Sequence, residues 1–154
     1  MSTDFSCFLY GTLIFPEVIG RILSNGGKEK ITVDLNSGAP AVLKGYKRYQ
    51  VRGAWYPAII KSNENDEAKG VFLKGLSYND ILKLDDFEGD QYKRMDVKVF
   101  VGDSLDPIPA QTYVWIDSAN LLDDKDWDST EFKKKFDMDM IDLSSDENND
   151  VKNR

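Results

Sequence analysis

The spacing of apolar residues near the start of the chain changes at Gly11, and this change predicts a strand followed by a helix. Residues 5–10 form a short, mostly apolar run, which is typical of a buried strand. Beyond Pro16, apolar residues recur at helical spacing, at Val18, Ile19, Ile22 and Leu23. Proline is tolerated in the first turn of a helix, and residues 24–27 (SNGG) provide a stop. The chain therefore opens with a strand, a tight loop and a helix.

Later segments rich in aromatic and β-branched residues predict further strands. They cover residues 31–35, 42–52, 55–61, 70–75, 95–101 and 111–116. Gly45 and Gly53 are expected to mark bends or bulges. The connections between residues 42 and 72 are too short for helical crossovers, which favours antiparallel pairing of these strands.

Two more helices are predicted from their capping residues. Ser77 with Asp80 forms a capping box, and Gly89 ends the helix that follows. Asp128 with Glu131 begins the last helix. The apolar stripes of the two helices consist of Ile81, Leu82, Leu84 and Phe87, and of Phe132, Phe136 and Met140. These elements predict an α+β fold, a small mixed, mainly antiparallel β-barrel with about three flanking helices.

Length and composition set the domain organisation. The chain has 154 residues, of which 41% are hydrophobic, enough for one continuous core. Because no repeat or linker divides residues 3–143, we predict a single domain there. Residues 144–154 contain one apolar residue, Val151, and cannot bury enough surface to offset their ordering entropy. We therefore predict an acidic disordered tail over residues 144–154.

Charge and the absence of histidine exclude several classes of function. A net charge of −7 opposes binding to a phosphate backbone, so no nucleic-acid partner is expected. A chain without histidine cannot build a Ser-His-Asp triad, a His-ligated zinc site or a haem site with a proximal histidine. Acid–base chemistry then falls to Asp, Glu, Lys or Tyr. We predict neither a metal nor a cofactor.

Cysteine content and hydropathy indicate the cellular compartment in which we expect the protein. Cys7, the single cysteine, cannot form an internal disulfide, and without histidine to activate it we expect it to be a core residue. No apolar run approaches the ~18 residues of a membrane span, so no membrane partner is expected. The first residues also lack the basic region of a signal peptide. We expect a cytoplasmic protein.

The first candidate site is the loop Tyr10-Gly11-Thr12-Leu13 between the first strand and the first helix. Successive backbone N–H groups at such a junction can converge, and a helix N-terminus favours negative charge. The loop could therefore hold a carboxylate or an amide oxygen. Alternatively, Gly11 permits a tight turn and Leu13 packs inward. The local pattern leaves both interpretations open.

The second candidate site is the acidic segment at residues 85–90, which contains four carboxylates. A calcium loop is excluded, because counted from Asp86 the positions that need Gly and Glu hold Gln91 and Val97. Glu88 follows an apolar residue and precedes a glycine, so it could lie at the rim of the core, where desolvation would raise its pKa. A solvated helix end is the alternative.

Four further polar residues have both a functional and a structural interpretation. Tyr92 could donate a hydrogen bond in a pocket, although a tyrosine at the start of a strand is more often part of the core. Arg48, Arg52 and Arg94 could bind an anion, but arginines on strands are usually solvated or paired with carboxylates.

These motifs together resemble a known family. FLYGTL at residues 8–13, with a glutamate much later in FEGDQYKR at residues 87–94, resembles the gamma-glutamylcyclotransferase-like family. Its avirulence-induced-gene-like branch of plant and fungal proteins is the most similar. Segments typical of that branch follow in the same order, GYKRY at 45–49, GAWYP at 53–57, QTYVW at 111–115 and WD at 127–128. The resemblance spans roughly residues 5–140.

The resemblance implies a small mixed barrel in which the loop and the glutamate meet in one cavity. It implies that Glu88 is the proton acceptor and that backbone N–H groups bind a gamma-glutamyl small molecule, at Tyr10, Gly11, Thr12 and Leu13 and, less directly, at Ile14 and Phe15. The implied activity is release of 5-oxoproline by an acyltransferase. The alternative is a non-catalytic binding or stress-response protein that retains the cavity. The oligomeric state is left open.

Overall fold

The computed structural model describes the chain over residues 5–143, and its side chains over residues 5–138. Within that range it forms seven strands and three α-helices. The strands are β1 (Phe5–Leu9), β2 (Ala39–Lys44), β3 (Tyr46–Gln50), β4 (Pro57–Lys61), β5 (Glu67–Leu76), β6 (Tyr92–Val101) and β7 (Ile108–Trp115). The helices are α1 (Pro16–Leu23), α2 (Tyr78–Glu88) and α3 (Ser129–Leu143). The predicted tail at 144–154 lies outside the described residues, and the side chain of Met140, part of the predicted apolar stripe, lies outside the described side chains.

Five of the strands close into a barrel in the order β1-β5-β2-β6-β7. The longest ladder joins β6 to β7 in antiparallel register from Tyr92 opposite Trp115 to Val99 opposite Ile108. The barrel closes where β1 runs parallel to β7, with Cys7 opposite Gln111. Strands β3 and β4 pair with each other in a separate two-stranded sheet. The predicted fold class, a mixed and mainly antiparallel barrel with three helices, is confirmed.

Strand β1 is buried on both faces, which explains its unbroken apolar run. Alternate side chains of a strand point to opposite faces. Cys7 and Leu9 belong to the apolar cluster that also contains the buried side chains of α1 and α2, whereas Phe8 and Tyr10 belong to a second cluster formed by other barrel strands. The loop that follows β1 therefore begins from a strand held firmly on both sides.

The predicted strand at residues 31–35 is wrong. This segment has no strand pairing, and a short 3₁₀ turn begins at its end, at Leu35–Ser37. Val33 is nevertheless buried, and Ile31 and Leu35 pack against the same cluster. The apolar residues of this segment thus pack against the core, but a buried segment need not pair with a neighbouring strand.

The predicted strand at residues 42–52 is two strands in two different sheets. Gly45 has a φ of 84°, a left-handed conformation that residues with a side chain rarely adopt, and it turns the chain between β2 and β3. The prediction of a bend at Gly45 is thus confirmed, and the separation of the sheets was missed. None of the described helices has the length and apolar character needed to cross a membrane.

Candidate functional site

A small pocket lies where the end of β1 meets the end of α2. Its volume is about 30 Å³, room for about two water molecules. The predicted loop and the predicted glutamate both line it, together with aromatic side chains and one proline. The lining residues are Phe8, Leu9, Tyr10, Gly11, Thr12, Leu13, Tyr56, Pro57, Phe87, Glu88, Tyr92 and Tyr113.

The loop after β1 is a 3₁₀ turn at Thr12–Ile14. The N–H of Ile14 donates to the Gly11 carbonyl at 3.0 Å, and the N–H of Phe15 donates to the Thr12 carbonyl at 3.4 Å. Ile14 and Phe15 thus use their N–H groups inside the turn, and neither is among the lining residues. Both were predicted as substrate-binding residues. The backbone N–H groups that remain as candidate donors to a substrate are those of the segment from Tyr10 to Leu13.

Glycine is required at position 11 because Pro57 packs directly against it. A Cβ atom added to Gly11 would lie 2.7 Å from Cγ and Cδ of the Pro57 ring. The ring is rigid, so this contact could be relieved only by moving the backbone. Pro57 in turn is held by Tyr92, whose buried hydroxyl donates to the Pro57 carbonyl at 2.8 Å. This part of the pocket wall is therefore closely packed.

Helix α2 places Glu88 on the pocket wall. The predicted capping box is present, because the Ser77 hydroxyl accepts from the Asp80 N–H at 3.0 Å and the Asp80 carboxylate accepts from the Ser77 N–H at 3.0 Å. Ile81 and Leu84 are fully buried and fix the rotation of the helix. Glu88 is the last helical residue and is half-buried. It lies at the rim of the core and lines a pocket.

Two buried tyrosines, Tyr10 and Tyr113, line the same pocket as Glu88. Burial raises the pKa of Tyr10 well above its usual value, and the negative charge of Glu88 raises it further. Burial is also the main cause that raises the pKa of Tyr113. A hydrogen bond to Asp85 and the charges of Cys7, Asp85 and Glu88 raise this pKa further. Both phenols therefore stay protonated at neutral pH. The Tyr10 hydroxyl donates to the Tyr113 carbonyl at 2.6 Å.

The Tyr113 hydroxyl belongs to a polar chain that sequence reasoning missed. It donates to Asp85 Oδ1 at 2.6 Å, and the same oxygen lies 3.2 Å from Arg94 Nε. Arg94 also donates to Gln111 Oε1 at 3.0 Å. This pairing balances the charge of Asp85 one turn before Glu88. The only sequence signal was that Tyr113 lies in the QTYVW segment, because nothing in the spacing linked it to α2.

The expectation that the arginines pair with carboxylates is confirmed. Arg52 pairs with Asp123 at 3.1 Å, and Arg48 pairs with Asp126 at 2.8 Å. Over the part of the chain with described side chains, no three Cys, Asp or Glu residues converge as a metal site would require.

A second, larger cavity adjoins the pocket. It has a volume of about 370 Å³ and lies between α1 and α2. Phe87 lines both cavities and so forms a wall between them. The other lining residues are Val18, Arg21, Ile22, Asn25, Gly26, Lys28, Lys83 and Asp86.

Comparison with known proteins places the chain in one protein family. The family model described as "Gamma-glutamyl cyclotransferase, AIG2-like" matches residues 7–129. Protein AIG2 C of Arabidopsis thaliana is 32% identical over 126 residues, 82% of this chain and 70% of that protein. AIG2-like protein D of the same plant is 32% identical over 137 residues, 86% of this chain and 81% of that protein.

Solved structures share the fold. A solution structure of an Arabidopsis thaliana protein has a TM-score of 0.65 and 29% identity, and the match covers 94% of this chain and 84% of that one. A structure titled gamma-glutamyl cyclotransferase has a TM-score of 0.57 at 22% identity, with 74% and 68% of the two chains covered, which shows a common fold. The family match over residues 7–129 and these relatives show that the chain belongs to the AIG2-like gamma-glutamyl cyclotransferase family.

Proposed function

We propose that this protein is a gamma-glutamylcyclotransferase that releases 5-oxoproline from a gamma-glutamyl compound. The observation that carries the proposal is that Glu88 and the loop from Tyr10 to Leu13 line the same small pocket. A carboxylate and a row of backbone N–H groups are the two functions that this reaction needs. The family to which the chain belongs supports the assignment.

The proposed reaction needs no covalent intermediate. The substrate carries its own nucleophile, the α-amine, and its own electrophile, the γ-amide carbonyl, so holding the two together supplies much of the catalysis. The α-nitrogen bonds to the γ-carbon, and the bond from that carbon to the leaving nitrogen breaks. Glu88 accepts the proton released by the attacking nitrogen and donates it to the leaving amine. The carboxylate therefore ends the cycle in its starting form.

The loop is proposed to anchor the substrate through its N–H groups or to stabilise the oxyanion that forms on the γ-carbonyl. Donors already aimed at that oxygen cost no reorganisation during the reaction. Tyr10 and Tyr113 line the site as protonated, uncharged phenols. Each uses its hydroxyl within the protein, so neither is proposed as the acid or base.

A gamma-glutamyl group is larger than a pocket of about 30 Å³, so a wall side chain is expected to move when substrate binds. Phe87 is the candidate, because its side chain lines the pocket and also borders the cavity of about 370 Å³, into which it could rotate. Rotation of Phe87 toward α1 would enlarge the pocket beside Glu88. The same movement would give the leaving amine a route past α2.

The test is release of 5-oxoproline by wild-type protein and by Glu88→Gln. Glutathione, gamma-glutamyl amino acids and gamma-glutamyl amines would each be incubated with the protein, and the product would be measured by mass spectrometry. Glu88→Gln should lower the rate by about 10²- to 10⁴-fold, the usual contribution of a positioned general acid–base group. Asp90→Asn is the matched control, because Asp90 is an exposed acid two residues away and does not line the pocket.

Circular dichroism and thermal unfolding would establish that Glu88→Gln remains folded. A folded Glu88→Gln variant with wild-type turnover would remove Glu88 from the mechanism. If calorimetry detects binding of gamma-glutamyl compounds but none is converted, the chain is a binding protein that keeps the cavity.

A further inference from the structure

Arg48 makes an unusual set of contacts at the start of the candidate binding loop. Its Nη1 donates to the Tyr10 carbonyl at 2.8 Å and to the Lys69 carbonyl at 3.2 Å. Its Nε and Nη2 donate to the two oxygens of Asp126, at 2.8 and 3.2 Å. One guanidinium therefore joins the end of β1, strand β5 and the segment before α3.

We propose that Arg48 is a positioning residue that aims the backbone N–H of Gly11 into the pocket. The role of that N–H in binding substrate rests on the proposed function, whereas its orientation by Arg48 does not. The Tyr10 carbonyl and the Gly11 N–H belong to one planar, trans peptide unit, in which C=O and N–H point in opposite directions. A bond that fixes the direction of the Tyr10 carbonyl thus fixes the direction of the Gly11 N–H.

The contact should also strengthen the donor. A positive charge at the Tyr10 carbonyl polarises the peptide group, and hydrogen bonds that share a peptide group reinforce each other. The Arg48 side chain is only 18% exposed, so water competes little for this carbonyl. Bonds from a charged donor are about twice as strong as neutral ones. The Gly11 N–H is therefore oriented and made more acidic before any ligand arrives.

Glycine at position 11 makes such a restraint necessary. Without a Cβ atom, Gly11 has access to far more backbone conformations than other residues, so the peptide unit before it can rotate unless something holds it. The Pro57 ring packs on the side of Gly11 where a Cβ atom would lie. Arg48 supplies the second restraint, through the carbonyl side of the same peptide unit.

Asp126 and Trp127 hold the guanidinium in place. Asp126 binds it with both oxygens, and Asp126 Oδ1 also accepts from the Trp127 N–H at 2.7 Å. The guanidinium carbon lies 5.6 Å from the centre of the Trp127 ring, within cation–π range. Lysine cannot reproduce this arrangement, because its ammonium is a point charge without the planar fork of arginine. The segments at 45–49 and 127–128, which carried the family resemblance, thus meet at the loop.

The decisive measurement is the amide signal of Gly11 in ¹⁵N-labelled full-length protein. We expect Arg48→Lys to shift this signal, to speed its hydrogen exchange and to remove its response to added 5-oxoproline. Arg52→Lys is the matched control, because Arg52 also pairs with an aspartate, at Asp123, and the other described partner of its side chain, the Leu122 carbonyl, lies outside the loop. Asp126→Asn keeps Arg48 and weakens the ion pair that holds its guanidinium in place. This variant should therefore move the Gly11 signal in the same direction by a smaller amount.

Turnover provides a second readout. Arg48→Lys should lower kcat/KM by about 10²-fold, the lower end of the cost of losing one aligned donor, while Arg52→Lys stays at the wild-type value. An unchanged Gly11 signal in folded Arg48→Lys and Asp126→Asn would overturn the inference. If wild-type protein converts no gamma-glutamyl compound, the proposed function fails, and the Gly11 shift and exchange rate still decide the role of Arg48.

Discussion

At the scale of single residues, Tyr92 connects the pocket wall to the protein core. Its ring packs edge-on against Trp115, with centroids 5.2 Å apart, and its hydroxyl donates to the Pro57 carbonyl. Pro57 in turn packs against Gly11. Tyr92 therefore belongs to the pocket wall itself and also supports that wall through Pro57, and its supporting role at the site stays a prediction.

Tyr92→Phe should destabilise the protein by about 1–3 kcal/mol, because it leaves the buried Pro57 carbonyl without this donor. The free energy of unfolding would be measured with a chemical denaturant. Tyr78→Phe is the control, since Tyr78 is 52% exposed and its ring contact with Phe5 does not need the hydroxyl. Equal stability of Tyr92→Phe and wild type would mean that the bond to Pro57 contributes nothing.

The candidate residues differ in how far the sequence could predict them. Gly11 and Glu88 stand in local patterns, a strand followed by a tight loop and an acid at a helix end, and both line the pocket. Their catalytic and binding roles stay predictions. Arg48 could be predicted only to pair with some carboxylate, because its partners Tyr10 and Asp126 are 38 and 78 positions away. Contacts over such distances depend on how β1, β3 and the segment before α3 are arranged in the folded protein, which local spacing does not encode.

At the scale of elements, α2 is the support for Glu88. Its first turn is closed by the capping box between Ser77 and Asp80, and its buried side chains anchor the middle. Glu88 stands at the far end, where Gly89 adopts a φ of 78° and donates its N–H to the Asp85 carbonyl at 3.1 Å. Both ends of the helix were predictable because caps are local signals.

Ser77→Ala should cost about 0.5–2 kcal/mol of stability, because the Asp80 N–H loses its acceptor at the start of α2. Urea denaturation followed by circular dichroism would measure this. Asn79→Ala is the control on the same turn, since Asn79 is exposed and its replacement should change stability by no more than about 0.5 kcal/mol. A Ser77→Ala variant as stable as Asn79→Ala would show that the capping box is energetically unimportant.

Elements without such local signals were predicted less well. The segment at residues 31–35 has the apolar content of a strand but packs on the core from outside the sheets. The segment at 42–52 has the composition of one strand, but the chain turns at Gly45 and its two halves pair in different sheets. In both cases the tertiary arrangement, which decides whether a pairing edge is available, overrides the local β-propensity.

At the scale of the whole molecule, Cys7 reports on the closed barrel. It lies in β1 at the position that pairs with β7, and it is fully buried. Burial raises the pKa of its thiol from 9.0 to about 12, and the charges of Asp85 and Glu88 add to this against the opposing charge of Arg94. The single cysteine of the chain is therefore a buried, protonated thiol as long as the barrel stays closed.

Cys7 in native protein should resist a thiol reagent at pH 8, and it should react quickly in guanidinium chloride. Its slow native labelling should follow the population of opened molecules. The folded state holds the thiol proton more tightly than the unfolded chain does. Stability from this group is thus present below about pH 9 and is lost as pH rises from 9 toward 12. Fast labelling of native protein would contradict the closure of the barrel at β1.

The position of β1 between β5 and β7 also determines when the candidate loop can acquire its shape. β1 is made before both of its partners, which end at Leu76 and Trp115, so a growing chain carries β1 with at least one unpaired edge until β7 has been synthesised. Pairings between distant segments form slowly, and open strand edges invite association with other chains. A chain that stops before Trp115 should therefore lack the loop geometry altogether and be prone to aggregation during its synthesis.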